Sequence, residues 1–223
     1  VGSGFGGGDA LLAALCARLL QLLQRRGTVE PAGVAVTSYA LARSGCAPLV
    51  EPRLWQALAS RATEGLGSLS LTEAANVASA FATAMREAPE ASVAAFSPEV
   101  RAFFSALREQ VERLLASGGA ALPPLAAAKL ATAFGDARCS EAHGVVQRLA
   151  YKCLAPAIGS GAPKAERLGV GPLRNVAVAL ARLDVHDEDL VQALTTAQRP
   201  RRGASRGSGG AASPSAGLRP ALM

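Results

Sequence analysis

Aromatic side chains are scarce in this sequence: one Trp, two Tyr and six Phe among 223 residues. β-branched runs long enough to form strands are missing too, so a sheet-based core is excluded and a helical one expected. Cysteine is equally sparing. Cys16, Cys46, Cys139 and Cys153 are far apart and irregular, with no CxxC knuckle, which excludes a disulfide framework and leaves them as small buried side chains of an intracellular protein. Histidine occurs only twice. Cys139 and His143 stand four apart and can share a helix face, but zinc needs further ligands at comparable spacing and none is evident. His186, inside DVHDED, reads as an exposed residue near a helix start, where acids complement the helix dipole.

Long hydrophobic runs are lacking as well. The strongest, LLAALCARLLQLL at 11–23, contains Arg18 and falls short of the roughly 20 residues a membrane span requires. It is expected to be a packed helix, and no membrane partner is implied. No sequence pattern carries catalysis: there is no serine elbow, HExxH or P-loop, and Asp187, Glu188 and Asp189 form one exposed acidic run. Gly2, Gly4 and Gly7 formally satisfy GxGxxG, yet no strand precedes them and no suitable acid follows, so they read as a glycine-rich lead. The expectation is a protein that is not an enzyme, with no cofactor, metal or small-molecule substrate. The chain starts at Val1 rather than Met, which fits a processed precursor or a fragment, and a removed targeting peptide is compatible with it.

Acidic residues are absent beyond position 198, whereas Arg199, Arg201, Arg202, Arg206 and Arg219 all lie there. The formal charge of +6 therefore belongs to the tail, and residues 1–198 carry 18 basic against 17 acidic groups. The tail has the composition of disorder, and any order in it is expected to come from a partner. Its arginines, separated by Gly and Ser, suit individual phosphates.

What the sequence does contain is a repeat. LSLTEAANVASAF at 69–81 and LPPLAAAKLATAF at 122–134 are close copies, joined by VEPAGVAVTSYAL at 29–41 and LGVGPLRNVAVAL at 168–180. Starts at Val29, Leu69, Leu122 and Leu168 are separated by 40, 53 and 46 residues, within the range of stacked helical hairpins. Each copy reads as the first helix of a hairpin. Small residues near its middle (Ser38, Ala78, Ala131, Ala177) permit close helix approach, and Leu41, Phe81, Phe134 or Leu180 closes the layer. The second helices follow as PRLWQALASRA, as PEVRAFFSALREQVERLL from Pro98, as VVQRLAYKCLA, and as DEDLVQALTTA from Asp187. The links REAPEASVAAFSPE and APAIGSGAPKAER are expected to loop out.

The predicted organisation is a flexible lead at 1–8, a helical-repeat domain at 9–198 and an Arg/Gly/Ser-rich tail at 199–223. The domain begins with a helix at 9–26, capped by Asp9, which serves as a cap or as the second helix of an incomplete repeat. The fold class is all-α: a short α-solenoid of stacked hairpins.

These segments resemble the helical-hairpin repeats of the organellar RNA-binding families related to heptatricopeptide and octotricopeptide repeat proteins, whose members often carry a RAP domain, as FAST-kinase-like proteins do. The resemblance covers about residues 29–198. The spacing here is longer and less regular, and no RAP domain follows, so nuclease activity is not implied. What the resemblance implies is a mitochondrial or plastid location, an RNA ligand and a place as a structural subunit of an organellar ribosome in contact with rRNA and neighbouring subunits. On the residues alone, Asn76, Lys129 and Arg174 make a polar-to-basic ladder across the first helices, with Val36 the exception, and Arg138 and Arg182 follow the closing positions. Each of these reads equally as ordinary solvation of a helix face. A protein-protein scaffold is the alternative, supported by the near-neutral body.

Overall fold

A computed structural model describes residues 6–25, 29–117, 122–154, 168–188 and 192. Among them every regular element is helical: α1 (Gly6–Gln24), α2 (Pro31–Arg43), α3 (Pro52–Glu64), α4 (Leu71–Glu87), α5 (Glu90–Ala116), α6 (Pro124–Asp136), α7 (His143–Leu149), extended by a π turn at Ala150–Leu154, and α8 (Val170–Arg182). Short 3-10 turns at Ala47–Leu49, Leu66–Ser68 and Ser140–Ala142 join them.

The four repeated segments become α2, α4, α6 and α8, each starting two residues after its opening Val or Leu. Local chemistry sets those starts. Pro31, Pro52 and Pro124 occupy first turns, where the missing N–H is no loss. α4 instead uses a capping box: the Glu73 N–H donates to Ser70 Oγ at 3.3 Å and the Ser70 N–H to Glu73 Oε2 at 2.8 Å. A hydrogen bond from Ser70 Oγ to Glu73 Oε2 at 2.6 Å, helped by the one from the Ser70 N–H, holds the Glu73 carboxyl below its usual range.

α2, α4, α6 and α8 pack on one another in that order. The second helices form a matching series, α1 against α3, α3 against α5, and α5 against α7. α1 packs on α3 as α3 packs on α5. Arg61 of α3 ends α1, donating through Nε and Nη2 to the Leu23 carbonyl at 2.9 and 2.7 Å.

The scarce aromatics are concentrated where the two series meet. Trp55, Phe81, Phe103, Phe104 and Phe134 form a continuous chain of ring contacts 5.1–6.1 Å apart, linking α3, α4, α5 and α6, and Phe96 adds to it through Trp55. Phe81 and Phe134 are fully buried, as their closing role requires. Between first helices the contact is made by small side chains. At Gly135 an added Cβ would lie 2.5 Å from Ala179 Cβ and 2.6 Å from its Cα.

Two boundaries differ from expectation. The link REAPEASVAAFSPE does not loop out: α5 begins at Glu90 and runs through Pro98, leaving only Ala88 and Pro89 as the turn. A proline inside a helix removes one hydrogen bond and costs about 3 kcal/mol. Burial of Phe96 beside Trp55 and the bond from Gln56 Nε2 to the Ala95 carbonyl at 2.8 Å offset that cost. α1 includes Gly6–Gln24 among the described residues, so the backbone of Asp9 lies inside the helix and not before it. The link APAIGSGAPKAER, most of the fourth repeat's second helix and the tail lie outside the described residues.

Candidate nucleic-acid interface

Equal starts put the four first helices in one register, and this corrects the ladder at its last rung. The residue of α8 equivalent to Val36, Asn76 and Lys129 is Asn175, not Arg174. Arg174 falls where α2, α4 and α6 bury Ala35, Ala75 and Ala128 against the next first helix. It is exposed because α8 ends the series among the described residues.

Asn76 and Lys129 do meet, and they meet each other. Lys129 Nζ donates to Asn76 Oδ1 at 2.7 Å and sits 5.3 Å from the centre of the Tyr39 ring. Hydrogen bond and cation–π contact engage this half-buried ammonium from two sides. Across α2, α4 and α6 the trio acts first as an internal tie.

A second tie joins the C-terminal ends of α4, α6 and α8. Asp136 of α6, only 12% exposed, accepts from Arg86 of α4 at 2.9 Å and from Arg182 of α8. Arg182, expected as a ligand for phosphate, is thus committed to a carboxylate of its own chain.

Arg138 behaves otherwise. It follows α6 in the left-handed conformation, φ +52°, with the Cys139 N–H bonded to the Phe134 carbonyl and the Arg138 N–H to the Gly135 carbonyl. That is the Schellman arrangement, and the corresponding residues after α2 and α8 are Gly45 (φ +71°) and Asp184 (φ +57°). Arg138 is exposed and has no ion-pair partner among the described residues.

Beside it lies a groove of about 820 Å³ between α5, the end of α4 and the turn from α6 to α7. Arg101 and Arg108 of α5 join Arg138 on its rim, with Glu141 as the single acid among its lining residues. Sequence reasoning missed both α5 arginines. Their seven-residue spacing, with Ala102 and Ser105 between, places them two turns apart on one helix face, a signal that was present in the sequence. Burial pushes the Cys139 thiol in this groove up to about 11, Glu141 adding to the effect and the Arg101 guanidinium opposing it. At neutral pH it is a protonated thiol and no nucleophile.

No protein-family model, no curated protein and no solved structure matches the chain. The site is therefore defined by its own residues.

The remaining candidates are placed as follows. His143 Nδ1 is 3.2 Å from the Leu183 carbonyl, and no cluster of three metal-binding side chains occurs among the described residues. Exposed His186 pairs with Asp184 at 2.7 Å. Asp187 is half-buried, accepting from Gln147 Nε2 at 3.2 Å and Tyr151 Oη at 2.5 Å. No described helix is long and apolar enough to cross a membrane. Arg199, Arg201, Arg202 and Arg206 lie outside the described residues.

Proposed function

We propose that this chain is a short α-solenoid that binds RNA and acts as a structural subunit of a mitochondrial ribosome, in contact with rRNA. The observation that carries the reading is the separation of charge: a body of nearly balanced charge followed by 25 residues with five arginines and no acid. Such a segment gains affinity from counterion release at each phosphate it neutralises. The succession of first helices on first helices, and of second on second, supports the solenoid. Arg138 and Arg174, exposed and without a carboxylate partner among the described residues, are the body's contributions, while Asn76, Lys129 and Arg182 serve mainly to tie the helices together.

Co-sedimentation of the full chain with organellar ribosomes tests this reading. Migration with ribosomal particles that nuclease abolishes is the expected result. Migration indifferent to nuclease and to salt would replace it with the second reading, a protein-protein scaffold. One observation favours that alternative: the leading end of both helix series is apolar, with Leu11, Leu15 and Val36 at 61%, 59% and 68% exposure. A solvent-facing terminal repeat ordinarily carries a polar outer face.

A further inference from the structure

The groove between α5 and the α6–α7 turn has the makings of a ligand site distinct from the tail. Its volume, about 820 Å³, is that of a cleft for one small ligand or a few linked units, too small to admit a duplex. Arg101 and Arg138 reach it from different elements, and neither has an ion-pair partner among the described residues. Arg108 is tethered only loosely, 3.8 Å from Glu112 and 3.9 Å from Glu109, both beyond hydrogen-bond reach. Elsewhere the same protein uses Asp136 to satisfy Arg86 and Arg182. Among its lining residues the groove sets three arginines against one acid, Glu141, with Glu109 and Glu112 beside Arg108 alone.

The remaining lining decides what kind of anion fits. Ala102, Ser105, Ala137 and Ala142 are small enough to let a backbone approach the arginines closely. Phe104 and Phe134 line the groove too, but they are 2% and 0% exposed, so neither offers a ring face to a stacked base. Recognition there is of backbone charge rather than of sequence. Arg138 adds a conformational argument. A non-glycine residue at φ +52° is held in the left-handed conformation that glycine adopts most readily, and the first repeat places glycine at the same turn. The strained position carries a guanidinium to the rim of the groove.

We propose that this groove binds the phosphate backbone of a single-stranded RNA segment, with Arg101, Arg108 and Arg138 as its phosphate ligands. The assignment rests on the RNA reading given above, and its test separates the two.

The experiment is fluorescence anisotropy of a labelled oligouridine strand of about ten nucleotides, titrated with the full chain over a range of salt concentrations. The parent carries Arg199, Arg201, Arg202, Arg206 and Arg219 replaced by Gln, so that the tail is silent. It is compared with the same protein bearing Arg101→Gln and Arg138→Gly, the latter chosen because glycine accepts the turn. A thermal melt by circular dichroism confirms that both are folded. Loss of two phosphate contacts should lower the slope of log K against log salt by about 1.4, at roughly 0.7 per single-strand phosphate, and Glu141→Gln should tighten binding. An unchanged slope and affinity in the double variant, with the parent still binding, overturns the groove and leaves the RNA reading standing. No binding by the unmodified chain overturns the RNA reading itself. Displacement of the strand by pyrophosphate or polyglutamate at equal charge concentration also overturns the assignment, in favour of a small phosphate ligand or an acidic peptide respectively.

Discussion

Arg182 and Arg138 lie at the ends of adjacent first helices, both in a sequence context that reads as surface charge, and the structure treats them oppositely. Arg182 closes on Asp136 together with Arg86, whereas Arg138 stands at a groove with Arg101 and Arg108 and no acid bonded to it. One group of arginines therefore strengthens the stacking of α4, α6 and α8, and the other is the proposed set of phosphate ligands. The number of arginines in a segment does not predict their availability. The carboxylate that the fold brings to them does.

The comparison depends first on α6 being held firmly in place. Phe134 and Phe81 are fully buried within the ring chain, so Phe134→Ala and Phe81→Ala should each cost roughly 3–5 kcal/mol in urea denaturation. A loss below about 1 kcal/mol at both would remove the packed layer on which the argument stands. Next in size is Gly135→Ala. Its added methyl would meet Ala179 at 2.5 Å and push α8 from α6, costing about 1–3 kcal/mol and loosening the Arg182–Asp136 contact. Asp136→Asn sharpens the contrast most directly. It should cost about 1 kcal/mol by denaturation and, by releasing Arg86 and Arg182, should raise affinity for RNA in the anisotropy assay. A smaller effect of opposite sign is expected at the groove. Arg138→Gly relieves a left-handed conformation worth about 1–2 kcal/mol and adds about 0.5–1 kcal/mol of unfolded-chain entropy, so thermal stability should rise by about 0.5 kcal/mol while RNA affinity falls.

The pH dependence offers one further check on the groove. Cys139 keeps its proton in the folded protein up to about 11, against 9.0 for an unperturbed thiol. Between those values the unfolded chain has lost a proton that the native one retains, so stability contributed by this group is complete below pH 9.0 and declines towards 11. Cys139→Ala should flatten that part of the stability profile relative to the unaltered chain.

Much of the architecture was legible because the first helices repeat one apolar pattern and two of them open on proline. Opening residues at Val29, Leu69, Leu122 and Leu168 predicted the start of every first helix to within two residues, since position in the repeat and apolar periodicity agree. Pro98 misled for a physical reason. Read locally, a proline starts a helix, but the burial of Phe96 and the Gln56 bond outweigh the missing N–H, and packing over long sequence distance leaves no local mark. The candidate site was less legible. Asn76 and Lys129 sit in the predicted register, yet their partnership depends on close helix approach, and the Arg86–Asp136–Arg182 tie joins residues 46 and 50 positions apart. Arg174 stands one position short of the ladder's register, which Asn175 fills in α8. Arg101 and Arg108 were overlooked because the first helices carry the repeat signal and α5 does not.

Ultraviolet crosslinking of the full chain within purified mitochondrial ribosomes, with crosslinked peptides identified by mass spectrometry, tests the central claim most directly. RNA adducts on the peptides spanning Arg199 to Arg206 and on those containing Arg101 or Arg138, with none on peptides bearing Lys129 or Arg182, are the predicted result. Absence of RNA adducts on a chain that nevertheless travels with the particle, or adducts confined to Lys129 and Arg182, would contradict it.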